Sequence, residues 1–469
     1  MNDRVRWRDV GRGAACVTLA LCLGAAALEH GGVNADEWQL IAVVISIASA
    51  ACVLLRSRRH EASVPAIELA LLTAIAAWML LALIPLPYAI IATLSPHRAL
   101  MASAAGTVTG ADPFAWTALS VAPAATFERL LFVFPAMAVF VAAREMPLWW
   151  TRERAWLAVL PVVVVGLIEA LIGIAQFNAG PFNASGAQSV SGTYVNRNHY
   201  AGLLELALPL TLTAAIALWS GSEGHWRSRH RHRNPRGERG LAPALQAGSL
   251  LLAAAILLAG VVTSLSRMGF MTTLVSVATV SMGWLLSRRQ QGRRQTWLWS
   301  IPLVLPLAIV LLIATNGMVL RFADSANSGD ISADGRMQIW RETLSLISAY
   351  PWTGAGLGTF EHALYPFRAA LSTSAVDYAH NDYLQIFSEL GIVGLLWTMA
   401  LACVIAWRAA HAAFQRGSAS WLGMGVLTSL LALALHSLVD FNLYVPANAL
   451  ALAWIAGVAV SPGLVSGDE

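Results

Sequence analysis

His380, Asn381, Asp382 and Tyr383 stand together in "DYAHNDYLQIFSELG", at the edge of an apolar run with helical spacing. An imidazole, with an unperturbed pKa near 6.5, suits proton abstraction close to neutrality, so His380 reads as a general base. The alternative is a histidine that caps or packs the helix that follows. Arg197, Arg267 and Arg336 add fork-shaped donors that match oxyanions bidentately. Without a carboxylate cluster to hold a divalent cation, the set points to proton transfer beside an anionic, phosphate-bearing ligand and to no metal centre.

The elements that must position these groups follow from composition. Hydrophobic residues make up 57% of the 469, charged residues only 12%, and the mean hydropathy is +0.62. Such values exclude an ordinary soluble domain and a nucleic-acid-binding one, and predict an all-α polytopic membrane protein. Apolar runs near the roughly 20 residues needed to cross a bilayer recur at 13–30, 38–55, 66–84, 126–143, 155–175, 199–219, 243–264, 269–286, 297–315, 383–407, 420–438 and 446–461, about twelve spans. The first, though preceded by arginines, is expected to stay as a span rather than a cleaved leader, because its loss would invert every later loop.

All thirty cations are arginines, and twenty-two of them fall in alternate connections, among them Arg56 to Arg59, Arg227 to Arg239 and Arg288 to Arg294. The positive-inside rule assigns these loops and both termini to the cytoplasm. The run "HWRSRHRHRNPRGER" then reads as a solvated loop facing anionic headgroups rather than a metal tract. Cys16, Cys22, Cys52 and Cys403 all lie within expected spans, which leaves no disulfide framework and no zinc site.

The opposite loops hold the unusual polar chemistry. Residues 85–125 read as proline-broken, half-apolar segments near the interface. The connection "TSLSRMGF" is so short that Arg267 cannot move far from the membrane surface. Arginines near span ends can simply snorkel, as is expected of Arg98, Arg129, Arg321 and Arg368. Arg267 has less room, and the phosphate of a lipid carrier is the natural anion for it. The longest loop runs from Asn316 to Asn381; "RMQIWRETLSLISAYPW" within it has helical period, with Arg336 at its start and Pro351 at its end. The glycine-rich "GAGLGTF" lacks the strand and helix that a nucleotide loop requires, and reads as a turn.

The order of "NRNHYAGLLELALPL", "SLSRMGF", "GRMQIWRETLSLISAYPWTGAGLGTF", "AHNDYLQIFSELGIVGLLW" and "HSLVDFNLYVPANALALA" resembles the O-antigen ligase and polymerase superfamily of bacterial envelope glycosyltransferases. The likeness covers about Asn196 to Gly457. It implies a GT-C-like inner-membrane protein with a periplasmic active site and no cofactor. Residues 1–315 would carry transmembrane helices one to nine, 316–381 a partly helical periplasmic loop, and 382–469 helices ten to twelve with a cytoplasmic tail.

The implied donor is an undecaprenyl-diphosphate-linked glycan, and the implied acceptor of a ligase is a sugar of the lipid A core, both met among membrane lipids. Carried over by motif, His380 would deprotonate the acceptor, while Arg267, Arg336 and Arg197 would hold the diphosphate. Asp382 and Glu361, with Asn381 and Tyr383 beside the histidine, are the nearby groups that could orient it. The superfamily leaves open a polymerase or a protein O-oligosaccharyltransferase. A lipid-linked glycan transporter would be expected to show inverted repeats, and the sequence shows none.

Overall fold

The computed structural model describes residues 2–55, 66–149, 152–178, 190–231, 241–290, 304, 308, 333–368, 376–415 and 418–461. The expected span at 297–315 and the first part of the long loop lie almost wholly outside them. Among the described residues there are helices and turns but no strand, only an isolated antiparallel bridge between Leu86 and Thr117. The first ten α-helices are α1 Asn2–Leu28, α2 Ala35–Leu54, α3 Ala66–Leu81, α4 Tyr88–Leu94, α5 Pro96–Thr109, α6 Pro123–Glu145, α7 Leu160–Asn178, α8 Arg197–Arg231, α9 Leu241–Thr263 and α10 Arg267–Gln290. Five follow: α11 Ala333–Ala349, α12 Phe360–Leu364, α13 Asp382–Ala413, α14 Ser418–His436 and α15 Pro446–Ala459.

Seven of these helices are long and apolar enough to cross a membrane, in α1, α6, α7, α8, α9, α10 and α13. Shorter apolar helices occupy Trp38–Leu54, Ile67–Leu81, Ser420–His436 and Pro446–Ala459, where the sequence also predicts spans. The chain is thus a multi-pass helical membrane protein.

α8 is the axis of the bundle. It is buried on all sides from Tyr200 to Ile216, where all but Glu205, Thr211 and Thr213 are apolar or small, and such a helix is stable only when neighbours cover it all round. α7, α9, α10 and α14 supply that cover, and Leu203, Leu204 and Ala207 meet Leu257 and Val426 in the main core. α15 closes the bundle against α6, α1 and α8, with Trp454 buried at the contact.

At one end the segments outside the candidate spans form a cap. The proline-broken region resolves into α4 and α5, while α11 stops at Ala349, just before Pro351 as its sequence predicts. The cap has its own apolar cluster of Ile339, Leu346, Tyr350, Phe360, Leu364 and Ala379. Arg98 ties it inward by donating to the carbonyls of Ala118 and Ser120.

The turn "TGAGLGTF" mends a break in α13. Gly391 has φ of 66°, which interrupts the helix and frees carbonyls that an apolar setting cannot leave unpaired. The amides of Ala355 and Gly356 donate to Ser388 and Glu389 at 2.9 Å each, and Ile392 donates to Pro351. A Cβ at Gly391 would lie 2.3 Å from the Trp352 carbonyl oxygen, so backbone meets backbone here with no space for a side chain.

Candidate active site

The opening of α13 explains most of the polar cluster around His380. Asn381 is its N-cap, its side-chain oxygen accepting from the amides of Tyr383 and Leu384. Its amide nitrogen donates to the Leu438 carbonyl at 2.9 Å, and the Tyr383 hydroxyl donates to the Ala434 carbonyl at 2.8 Å. Asp382 donates through its own amide to Ser437 and accepts from the Leu443 amide. These three residues therefore staple the start of α13 to the end of α14 and the connection after it. Glu361, on α12, is exposed.

That stapling brings His380 opposite a carboxylate from the connection. His380 Nδ1 lies 3.7 Å from Asp440 Oδ1, and His199 Nε2, from the first turn of α8, lies 3.4 Å from the same oxygen. A third imidazole, His436 at the end of α14, places Nε2 3.9 Å from Asp440 Oδ2. Phe441 fills the space between, its ring 4.5 Å from that of His199 and 4.9 Å from that of His380. Burial by itself pushes the Asp440 carboxyl up, but His199, His380 and His436 overcome it and hold the group well below the usual carboxylate range. Asp440 is thus an anion facing three imidazoles. Among the described residues no three His, Cys, Asp or Glu groups are arranged to hold a metal ion.

His380 occupies the left-handed region, with φ of 50°. That conformation costs a non-glycine residue roughly 1–3 kcal/mol and persists only where the surroundings impose it. The surroundings are visible on both sides. Trp340 of α11 donates to the carbonyl of Ala379 at 3.0 Å, and the Ala379 amide donates to Gln385. Behind them Arg129 of α6 donates to the Tyr378 hydroxyl at 3.0 Å and lies over the rings of Phe132 and Tyr444. Arg129 therefore points inward and grips the segment before His380 rather than snorkelling.

The other three arginines lie in the first turns of helices at this end. Arg336 lies one turn before Trp340, on the face of α11 that touches Ala379, with its Nε buried and unbonded. Arg267 is the exposed first residue of α10, after a tight Ser264–Leu265–Ser266 turn. The turn packs on α8, since a Cβ on Gly269 would lie 2.8 Å from that of Ala201. Arg197 opens α8 itself, two residues before His199. Neither Arg267 nor Arg336 has a carboxylate at ion-pair distance among the described residues, which leaves their forks open to an anion. Each also sits in a helix first turn, where the dipole favours negative charge.

Sequence reasoning passed over Asp440, His199, His436 and Glu205. The signals were faint but present. His436 and Asp440 are four apart in "HSLVD", and Glu205 is a carboxylate inside an apolar span, a costly placement that marks function more often than packing.

The described residues thus form a multi-pass helical membrane bundle in which three histidines face one aspartate. The comparison with known families adds to this: residues 252–399 match the family model described as O-antigen ligase, so that part of the chain is similar to that family. The matched stretch contains Arg267, Arg336 and His380, while Arg197, His199, His436 and Asp440 lie outside it. No curated protein matches the chain.

Proposed function

We propose that the chain is a metal-independent, inverting glycosyltransferase that moves a glycan from undecaprenyl diphosphate to a sugar hydroxyl of the lipid A core, at the periplasmic face of the inner membrane. The observation that carries this reading is His380 turned toward Asp440, at the end of the bundle where Arg197, Arg267 and Arg336 lie in the first turns of their helices. The superfamily match over residues 252–399 supports it.

His380 Nδ1 faces Asp440, which leaves Nε2 to take the proton of the acceptor hydroxyl. The freed oxygen attacks the anomeric carbon as the bond to the diphosphate breaks. Arg267 and Arg336, with Arg197, take up the charge that develops on the departing diphosphate, where stabilisation lowers the barrier most. Direct displacement inverts the anomeric centre and dispenses with the paired carboxylates of a glycosidase.

The test is disruption of the gene followed by gel separation of the cell's lipopolysaccharide. Loss of all capped chains with accumulation of lipid-linked polymer is the expected result. Caps of a single repeat would assign a polymerase instead, and unchanged lipopolysaccharide would overturn the reading. Transfer should also fall with Arg267→Lys and Arg336→Lys, because a point charge cannot reproduce the bidentate fork. Near-full turnover by both variants in reconstituted vesicles would remove the diphosphate clamp.

A further inference from the structure

Behind the site lies a second acid–imidazole pair that the proposed chemistry does not use. Glu205 of α8 and His436 of α14 are fully enclosed, at 1% and 0% exposure, in the interior of a membrane bundle. His436 Nδ1 lies 3.0 and 3.2 Å from the two oxygens of Glu205. Its other nitrogen has no hydrogen-bond partner and points to Asp440 Oδ2. Apolar side chains of the same volume would fill this space at far lower desolvation cost, so packing alone does not account for the pair.

We propose that Glu205 and His436 form a positioning pair that acts on His380 through Asp440, an inference that rests on the transfer reaction proposed above. The groups stand in series: Glu205, His436, Asp440, then His380 and His199. A lone pair on His436 Nε2 would face the Asp440 carboxylate and be repelled; a hydrogen on each ring nitrogen is attracted on both sides. His436 then bridges two carboxylates as a cation. It engages Oδ2 of Asp440, leaving Oδ1 for His380 and His199, and it offsets part of the negative charge that His380 feels.

The charged and titratable groups around the pair are few. Glu205 faces His436 from α8, Asp440 from the following connection, and Asp382 from α13. His199, His380 and His436 face Asp440. Glu205 also lies against Gly269, two residues into the helix that Arg267 opens: a Cβ on Gly269 would be 3.0 Å from Glu205 Oε1. The pair thus spans from the arginine turn to the base.

The test is the pH profile of glycan transfer by the full-length protein in vesicles, with undecaprenyl-diphosphate-linked glycan and lipid A–core as substrates, over roughly pH 5 to 9. Glu205→Gln keeps the shape of the side chain and an oxygen to accept from His436 Nδ1, but removes the charge that holds the second proton. His436→Gln removes the cation outright. In both, Asp440 loses the cation at its Oδ2 while His380 and His199 stay at Oδ1, so the acidic limb should move up by about 1 pH unit, with a roughly tenfold loss near neutrality and donor KM within about twofold of wild type.

A uniform loss with no shift of the limb, or a wild-type profile, overturns the proposal. Failure of both variants to fold overturns it as well, because the pair would then be purely structural. Wild-type vesicles decide the underlying reading separately: if they transfer nothing, the proposed reaction falls and the positioning role with it.

Discussion

His380 combines a strained backbone with a histidine side chain, and the two can be separated by substitution. Asparagine tolerates the left-handed region better than most residues, so His380→Asn should fold with near-normal thermal stability. Loss of the base should lower transfer roughly 10² to 10⁴-fold. Turnover at the wild-type rate by that variant would exclude His380 from the chemistry. Asp440 makes a different forecast, because its carboxyl is held below the ordinary carboxylate range by three imidazoles. The stabilisation this gives is present above the unfolded pKa and disappears as pH falls through the lowered folded value. Asp440→Asn should therefore cost roughly 3–5 kcal/mol near neutrality, as removal of one partner from a buried charge cluster does. The gap to wild type should close in acid, which unfolding curves at several pH values would show; a gap independent of pH would refute the ionised state.

At the scale of the element, the junction of the 351–358 turn with broken α13 is the joint on which the site hangs. The break at Gly391 is filled by backbone, and α13 begins two residues after His380. Gly391→Ala adds a methyl where a carbonyl oxygen already stands and imposes a left-handed conformation on alanine, a combined cost on the order of 3 kcal/mol or more. The expected outcome is a lower melting temperature together with lost transfer, since the start of α13 moves with the turn. Unchanged melting would show that the turn and the helix are not coupled. α11 takes part in the same joint, because Trp340 holds the carbonyl just before His380.

For the whole molecule, the arginine distribution predicts the orientation. Cysteine introduced at Ser328, in a background without the four natural cysteines, should react with an impermeant reagent in intact cells; one at Gly237 should react only after permeabilisation. Both positions lie outside the described residues, so the forecast rests on the positive-inside rule alone. Labelling of position 237 in intact cells would invert the protein and move His380 to the cytoplasmic side.

What the sequence by itself determined is what hydropathy and period encode within short windows. The membrane class, the apolar segments, the helix with Arg336 in its first turn and its stop before Pro351 all follow from local composition and spacing, because a bilayer demands about 20 apolar residues whatever lies beside them. Arg267 and His380 were legible for a related reason: polar groups at the edge of apolar runs are few enough to be noticed. What only the tertiary structure decided is which polar groups meet. Glu205 and His436 are 231 residues apart, and no local pattern says that α8 and α14 cross at that height. The carboxylate facing His380 comes from a connection whose sequence reads as a plain turn, whereas Asn381 and Tyr383 bind α13 to its neighbour. A glycine turn that looked like a phosphate loop fills a helix break, since in an apolar bundle the freed carbonyls of Ser388 and Glu389 must find donors and the nearest belong to Ala355 and Gly356.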